Sequence, residues 1–477
     1  MRRTIWTIPW GLAVALGIWA ACEPDSSDLG RDPDRDTQTT PDIDTDADTT
    51  SQHQGDTSEE QETDTGLPSE DKDGDGWTSD FDCDDNDPQV NPDEVEVHSP
   101  PNNIDEDCDG LTDEQPDGSI VLASFIWIAN SGEGTVSKVD TRELIELGRY
   151  WVRPEKTGSP SRTSVNRNGD MVVASRGPGA VTMIRANTDQ CVDSAAPSGI
   201  QTSSGPDDLL DWDIEECRGW YRDFSAYSNV RAIAWTSGEF NTYSRKWENA
   251  KVWVACAQSG VDGSTDVYLL NGEDGSIENS VNLSDVKATE WNHLTYGAVV
   301  DSENNMWLVQ LGIGKLIRVD FSDLTYKTWD QPVSAYGISI DNQGRIWTCN
   351  HKLARFDPKD ETWTTSDVIE PAYSNPYSGS CMADGNGTLW VSRGSTLVAV
   401  NTESMDIEDS ILLSGEAHWG VALDVDGNVW SIPRSSTTAY RTDPATHEYE
   451  IIDGFVGAYT YSDMTGHLLS LVAPPVE

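Results

Sequence analysis

One recurring pattern constrains this chain more than any other: a short strand-like run, a D/N-x-x-G turn, then an aliphatic–Trp strand. Clear copies are SENNMWLVQ, NQGRIWTCN, GNGTLWVSR and DGNVWSIP, with weaker ones in SFIWIAN, NGDMVVAS and AKVWVAC. The key positions are Trp127, Val172, Trp253, Trp307, Trp347, Trp390 and Trp430, spaced by 45, 81, 54, 40, 43 and 40 residues. One unit shows four strand-like runs in AYGISID, RIWTCN, KLARFD and TWTTSD. A period near 40 with four strands per unit predicts an all-β chain built as a β-propeller. Seven blades are expected, or eight if HLLSLV near the end is a partial copy. The chain enters the body on what reads as a second blade strand, SFIWIAN, and GFVGAYTYSDMTG reads as a first strand. Pairing the two would close the ring and leave no open edge. The blade tryptophans read as packing anchors between sheets.

The 81-residue gap holds an insertion, about 186–228, in which Cys191 and Cys217 flank a Gly/Ser/Asp-rich tract. A disulfide-closed loop on one face of the disc is expected. Of the remaining Cys256, Cys349 and Cys381, the last two lie on successive blades and make a plausible pair.

The body, taken as residues 119–477, is preceded by three segments of different character. In residues 1–21, Arg2 and Arg3 lead into an apolar run too short for a spanning helix, which is the pattern of a secretory signal. It ends in Trp19-Ala20-Ala21-Cys22, which resembles the bacterial lipobox, so Cys22 is the expected lipidation site and the membrane is met through that anchor. Glu23 follows rather than Asp, which favours the outer membrane or cell surface of a Gram-negative bacterium. Residues 22–70 are Asp, Thr, Ser, Gln and Pro with few aliphatics, a disordered acidic linker. Residues 23–118 carry 34 acidic and 3 basic residues, a net of −31, within a chain of net charge −52. Such a chain repels nucleic acid.

From residue 71 to 118 the acids acquire a spacing. In DKDGDGWTSDFD, Asp71, Asp73 and Asp75 fall at positions 1, 3 and 5 of a calcium loop, with Gly76 at the sharp turn. The Trp77 carbonyl takes position 7 and Asp82 position 12. Alternating carboxylates suit a hard cation, because the odd side chains of a tight loop converge while the even ones point away. A second cluster follows at Asp82, Asp84, Asp85 and Asp87, and a third at Asp105, Asp107, Asp109, Asp113 and Glu114. Copper prefers imidazole and sulfur, and the segment offers only His98 and a cysteine pair, so calcium is the expected cofactor. Cys83 and Cys108 should pair in an exported chain, closing a loop worth roughly 3 kcal/mol in the chain-entropy model.

The elements D-x-D-G-D-G, D-C-D-D-x-D-P, N-P-D-E and D-x-D-C-D-G-x-x-D-E over residues 71–114 resemble the MopE-type metal-binding motif and are similar to thrombospondin type 3 calcium repeats. The G-x-[ILV]-W strands and Y-G-[IAV] strand starts, across roughly 120–475, resemble the virginiamycin B (streptogramin) lyase group of seven-bladed propellers and, more loosely, NHL-type propellers. That resemblance implies an elimination that opens a cyclic ester, using a His base beside a metal-binding acid. His418 in EAHWG and His293 in WNHLTYG are the candidate bases, with Glu416 the nearest acid in sequence. The recurring Trp-Phe-Thr-Glu of those lyases is replaced here by WLVQ, WTCN, WVSR and WSIP.

Strand starts in propellers line the central channel, which places Tyr296, Tyr336, Ser378 and Trp419 there. A mouth with aromatic walls would suit a small-molecule or protein ligand. No G-x-S-x-G, H-E-x-x-H or P-loop is present. Extracellular calcium modules bind at only about 10⁻⁴–10⁻³ M, which suits a structural staple better than a scavenger. The sequence therefore reads as an exported surface lipoprotein in which a calcium module presents a ligand-binding propeller, with a metal-dependent carbon–oxygen lyase as the alternative.

Overall fold

The computed structural model describes residues 71–79, 81–92, 94, 104–106, 108, 124–194, 199–241, 246–290, 294–369, 379–415 and 417–472. All of these residues fall within one compact unit, Leu67–Glu477. The signal segment, Cys22 and the acidic linker lie outside the described residues.

The body is built from four-stranded antiparallel sheets, each a meander. The first runs through Pro160–Val165, Met171–Arg176, Gly179–Ile184 and Arg218–Asp223, and the second through Asn229–Trp235, Lys251–Ala257, Asp266–Asn271 and Ile277–Asn282. Three more begin at Gly297–Val300, Gly337–Ile340 and Cys381–Ala383 and end at Tyr326–Asp330, Thr362–Val368 and Ile407–Leu412. A seven-stranded sheet supplies the other two blades: His418–Leu423 through Tyr449–Ala458, and Phe125–Asn130, Thr135–Asp140 and Glu146–Trp151. The second of these lacks an inner strand of its own. Segment 459–464 fills the place, with Tyr459 N–H donating to the Ala129 carbonyl at 3.0 Å and Trp127 N–H to that of Met464 at 2.9 Å. The described residues thus form a seven-bladed β-propeller closed by its C-terminal segment against its first strand.

Burial falls from the channel outward. The inner strand Gly297–Val300 is wholly buried, whereas the outer strand Ile277–Asn282 is almost wholly exposed. That gradient explains why inner strands read as continuous apolar runs and outer ones as polar.

The recurring turn has a chemical cause. Asp341 Oδ1 accepts the N–H groups of Gln343 and Arg345, both at 3.0 Å, while Oδ2 accepts Trp347 Nε1–H at 2.9 Å. Asp301 and Asp424 hold Trp307 and Trp430 in the same way, at 2.7 and 2.9 Å. Positive φ at Gly344 (78°) and Gly427 (83°) completes these turns, a conformation that glycine adopts at no steric cost. One carboxylate therefore caps the turn and fixes the buried indole that packs the blade.

Three details differ from the sequence reading. The insertion is shorter than 186–228, because Arg218–Asp223 is the outer strand of its blade. The 81-residue spacing arises from that insertion plus a hairpin, Glu239–Asn241 with Lys246–Glu248, inside the next blade. HLLSLV is a helix, His467–Val472, rather than part of an eighth blade. Its buried residues Leu468, Leu469 and Val472 follow helical spacing, and the Asp463 carboxylate accepts the Leu468 and Leu469 N–H groups. The helix packs against the inner strands that begin at Gly297 and Gly337.

Disulfides join Cys83 to Cys108, Cys191 to Cys217 and Cys349 to Cys381, while Cys256 is a buried thiol.

Candidate functional site

In the Asp-rich module the side chains alternate as a calcium loop requires. Asp71, Asp73, Asp75 and Trp77 are half-buried, and Lys72, Gly74 and Gly76 between them are exposed. Asp71 braces the loop by accepting Gly74 N–H at 2.7 Å and Gly76 N–H at 3.2 Å, and both glycines have positive φ. Asp73 Oδ1 accepts Asp75 N–H, and Asp75 Oδ1 accepts Trp77 N–H at 2.8 Å. Asp71 thus spends both oxygens on the loop, whereas Asp73 and Asp75 each spend one and keep the other buried without a donor.

The carboxylates of Asp71, Asp73 and Asp75 each place an oxygen within 4.8 Å of the others. Oδ2 of Asp73, of Asp75 and of Asp82 is buried with no hydrogen-bond donor. Burial and the neighbouring carboxylates of Asp75, Asp82 and Asp71 raise the Asp73 pKa, against the backbone N–H of Asp75. Buried acceptors without donors are costly, and a cation supplies what they lack. The described side-chain donors are all carboxylate oxygens, and Cys83 and Cys108 are tied in a disulfide. Such a set suits a hard cation.

The other expected ligands are placed differently. Both Asp85 oxygens are occupied by Lys72, its N–H at 3.1 Å and its ammonium at 2.7 Å, so that carboxylate is turned to an internal ion pair. Asp84 and Asp87 accept bonds from Asn86 and Gln89 within their own turns. The Asp105 carbonyl faces the Cys83–Cys108 bridge. Asp107, Asp109, Asp113 and Glu114 lie outside the described residues.

In the propeller, the structure brings Tyr296, Tyr336 and Trp419 into one buried cluster with Tyr459, Tyr461 and Leu311. Tyr461 and Tyr459 place their hydroxyls 2.8 Å apart, and those of Tyr296 and Tyr336 lie 3.0 and 3.1 Å from Tyr459. Close backbone packing makes room for this. A Cβ on Gly420 would lie 2.2 Å from the Thr460 carbonyl oxygen, and one on Gly337 3.0 Å from Ser380 Cα.

Arginines surround the cluster. The Arg162 guanidinium stacks 3.5 Å from the Tyr461 ring centre and donates to the Tyr461 carbonyl at 2.6 Å. Arg231 lies 5.0 Å from Tyr296, Arg176 4.7 Å from Tyr459, and Arg434 4.7 Å from Trp419. Burial alone would raise the Tyr459 pKa. Hydrogen bonds from Tyr296, Tyr336 and Tyr461, with the charge of Arg231, outweigh it and bring the phenol down to about 8.

His418 is not at the channel mouth. It is fully buried in its blade, with Nδ1 2.8 Å from Ser431 Oγ, Nε2 3.4 Å from the Ser414 carbonyl and its ring against Tyr440. Burial, against the Ser414 contact, lowers its pKa to about 4 and keeps it neutral. His293, Glu416 and Ser378 lie outside the described residues. Sequence reasoning missed Tyr459, Tyr461 and the arginines. The Y-x-Y alternation of Tyr459 and Tyr461 was the available signal, because alternate residues of a strand share a face.

At the opposite end of the inner strands, beside the helix, a larger cleft of about 760 Å³ is lined by Asp384, Asp426, Asp443 and His467. No described helix is long and apolar enough to cross a membrane.

Comparison with known proteins finds similarity in each half. Residues 82–114 match the family model described as "Putative metal-binding motif" (Cu-binding MopE). No curated protein sequence matches the chain. Among solved structures, a streptogramin B lyase is similar at 16% identity and TM-score 0.45, covering 67% of this chain and 88% of that one. The virginiamycin B lyase of Staphylococcus aureus is similar at 12% and 0.42, covering 62% and 83%. The dihydro-heme d1 dehydrogenase NirN is similar at 12% and 0.44, covering 69% and 64%. The chain thus carries a match to a MopE-type metal-binding motif at residues 82–114, ahead of a body whose sheets form a β-propeller.

Proposed function

We propose that this chain is an exported, lipid-anchored surface protein in which an Asp-rich module binds calcium and a β-propeller presents a ligand-binding face. The observation that carries the reading is the convergence of Asp71, Asp73 and Asp75, with buried oxygens of Asp73 and Asp75 lacking any donor. Calcium fits because every donor described there is a hard oxygen, and extracellular loops of this kind bind in the range of about 10⁻⁴–10⁻³ M. Occupancy would stiffen a segment that has almost no apolar core. The signal pattern ending at Cys22 supports the anchor and an outer-membrane or cell-surface address. The aromatic cluster at the channel supports a binding role for the propeller. His418 adds nothing to the lyase alternative, because neither of its ring nitrogens is exposed.

Calorimetric titration of the full-length protein with calcium and, separately, with copper tests the reading. Calcium should bind, and Asp73→Ala should weaken binding by at least tenfold. Copper binding without any calcium response would overturn it.

A further inference from the structure

The chain carries 83 acidic and 31 basic residues, so a basic side chain left without an acidic partner requires a reason. Several arginines elsewhere in the propeller are paired, among them Arg142 with Asp426, Arg149 with Glu146 and Arg345 with Asp341, while Arg167 and Arg218 stand singly on Trp247 and Trp212. At the channel, Arg162, Arg176, Arg231 and Arg434 form no ion pair among the described residues. Arg162 is 1% exposed, and its Nε and Nη2 are buried without acceptors, as is Nη1 of Arg231. Arg231 is otherwise held by Asn229 through Nε at 2.9 Å.

Stacking on tyrosine rings satisfies only the face of a guanidinium. The in-plane N–H groups still need acceptors, and a buried charge without a counter-charge is unfavourable. The Tyr461 carbonyl and Asn229 Oδ1 each take one of these donors, which leaves Nε and Nη2 of Arg162 and Nη1 of Arg231 without an acceptor.

A depression of about 250 Å³ opens onto this group, lined by Arg176, Arg434, Tyr459, Ser131 and Ser435. Arg434 is exposed, and Arg176 is half-buried and anchored to Ser159 Oγ at 2.7 Å. Two guanidinium groups flanking one ring present forked donors that match an oxyanion. The volume lies just below the roughly 300–1,000 Å³ of drug-sized pockets, so the guest is small.

We propose that the channel mouth at Tyr459 is a binding site for a small oxyanion, a carboxylate or phosphate group, held by Arg176 and Arg434 and attracted by the unpaired charge of Arg162 and Arg231. This specifies the ligand class of the propeller face proposed above and rests on that reading. The excess negative charge of the chain repels anions at long range, so selectivity comes from the fork geometry at the mouth.

The test is calorimetric titration of the full-length protein at pH 6.5 and constant ionic strength, where the Tyr459 hydroxyl is protonated. The probes are citrate, inorganic phosphate and the neutral trimethyl ester of citrate. At least one of the two anions should bind and the ester should not. Arg176→Gln and Arg434→Gln should each weaken anion binding at least tenfold, with the melting temperature confirming that each variant is folded. Arg142→Gln, on a surface ion pair with Asp426, should change it less than twofold. Anion affinity unchanged by the channel substitutions, or equally reduced by Arg142→Gln, overturns the site. Ester binding as tight as citrate and dependent on both arginines overturns the anion class but leaves the ligand-binding face standing. Binding of neither anion overturns the oxyanion site and leaves the ligand-binding face standing.

Discussion

The residues that decide most in this protein are carboxylates and phenols in places where charge is difficult to hold. Asp341 shows the structural use. Its side chain is 3% exposed, and it also pairs with Arg345 Nε at 2.7 Å. Asp341→Ala would strand the Trp347 indole N–H and leave Arg345 only its pair with Glu403, so a loss of about 2–3 kcal/mol is expected in urea unfolding. Asp330→Ala, which removes an ion pair with Lys315 at an 89% exposed carboxylate, should cost under about 1 kcal/mol. Tyr459 shows the electrostatic use. Its pKa of about 8 predicts a tyrosinate absorbance step around pH 8, and Tyr459→Phe should abolish it. If the first step begins only above pH 10 in both proteins, the hydroxyl network around Tyr459 is wrongly described.

Elements were legible where local chemistry and tertiary role coincide. Blade strands could be read because in several turns one carboxylate, that of Asp301, Asp341 or Asp424, ties the turn to the blade Trp, which leaves a repeating signature. The C-terminal helix escaped because six residues of HLLSLV are too few for a period to be read with any discrimination. The strand Arg218–Asp223 escaped because charged residues on an outer strand look like loop. The channel arginines could not be read at all. Arg162 and Arg434 lie 272 residues apart in sequence, and only ring closure brings them to one aromatic cluster. The helix carries its own prediction. Burial, against backbone N–H groups of Leu468 and Leu469, raises the Asp463 pKa from 3.8 to about 6. The folded state therefore holds this proton more tightly than the unfolded chain does. Its stabilising contribution is complete below about pH 3.8 and is lost as pH rises through about 6. Asp463→Asn should remove that dependence, seen as a smaller fall in melting temperature between pH 4 and pH 7 than in wild type. An unchanged fall would mean that Asp463 does not titrate there.

At the scale of the whole molecule, two regions handle charge in opposite ways. The module gathers carboxylates until three inward oxygens lack donors, and the propeller mouth gathers guanidinium groups until their edges lack acceptors. Each is a folded incompleteness that a small ion of the opposite sign completes. The cation half is the central claim, and Trp77 reports on it, because it sits in the loop with its N–H on Asp75 Oδ1. Terbium, a luminescent substitute for calcium, should show emission sensitised by Trp77 when added to the full-length protein. The account predicts that calcium displaces this emission at about 10⁻⁴–10⁻³ M and that Trp77→Phe removes it while calorimetric binding persists. No sensitised emission, or emission that saturating calcium leaves unchanged, would contradict it.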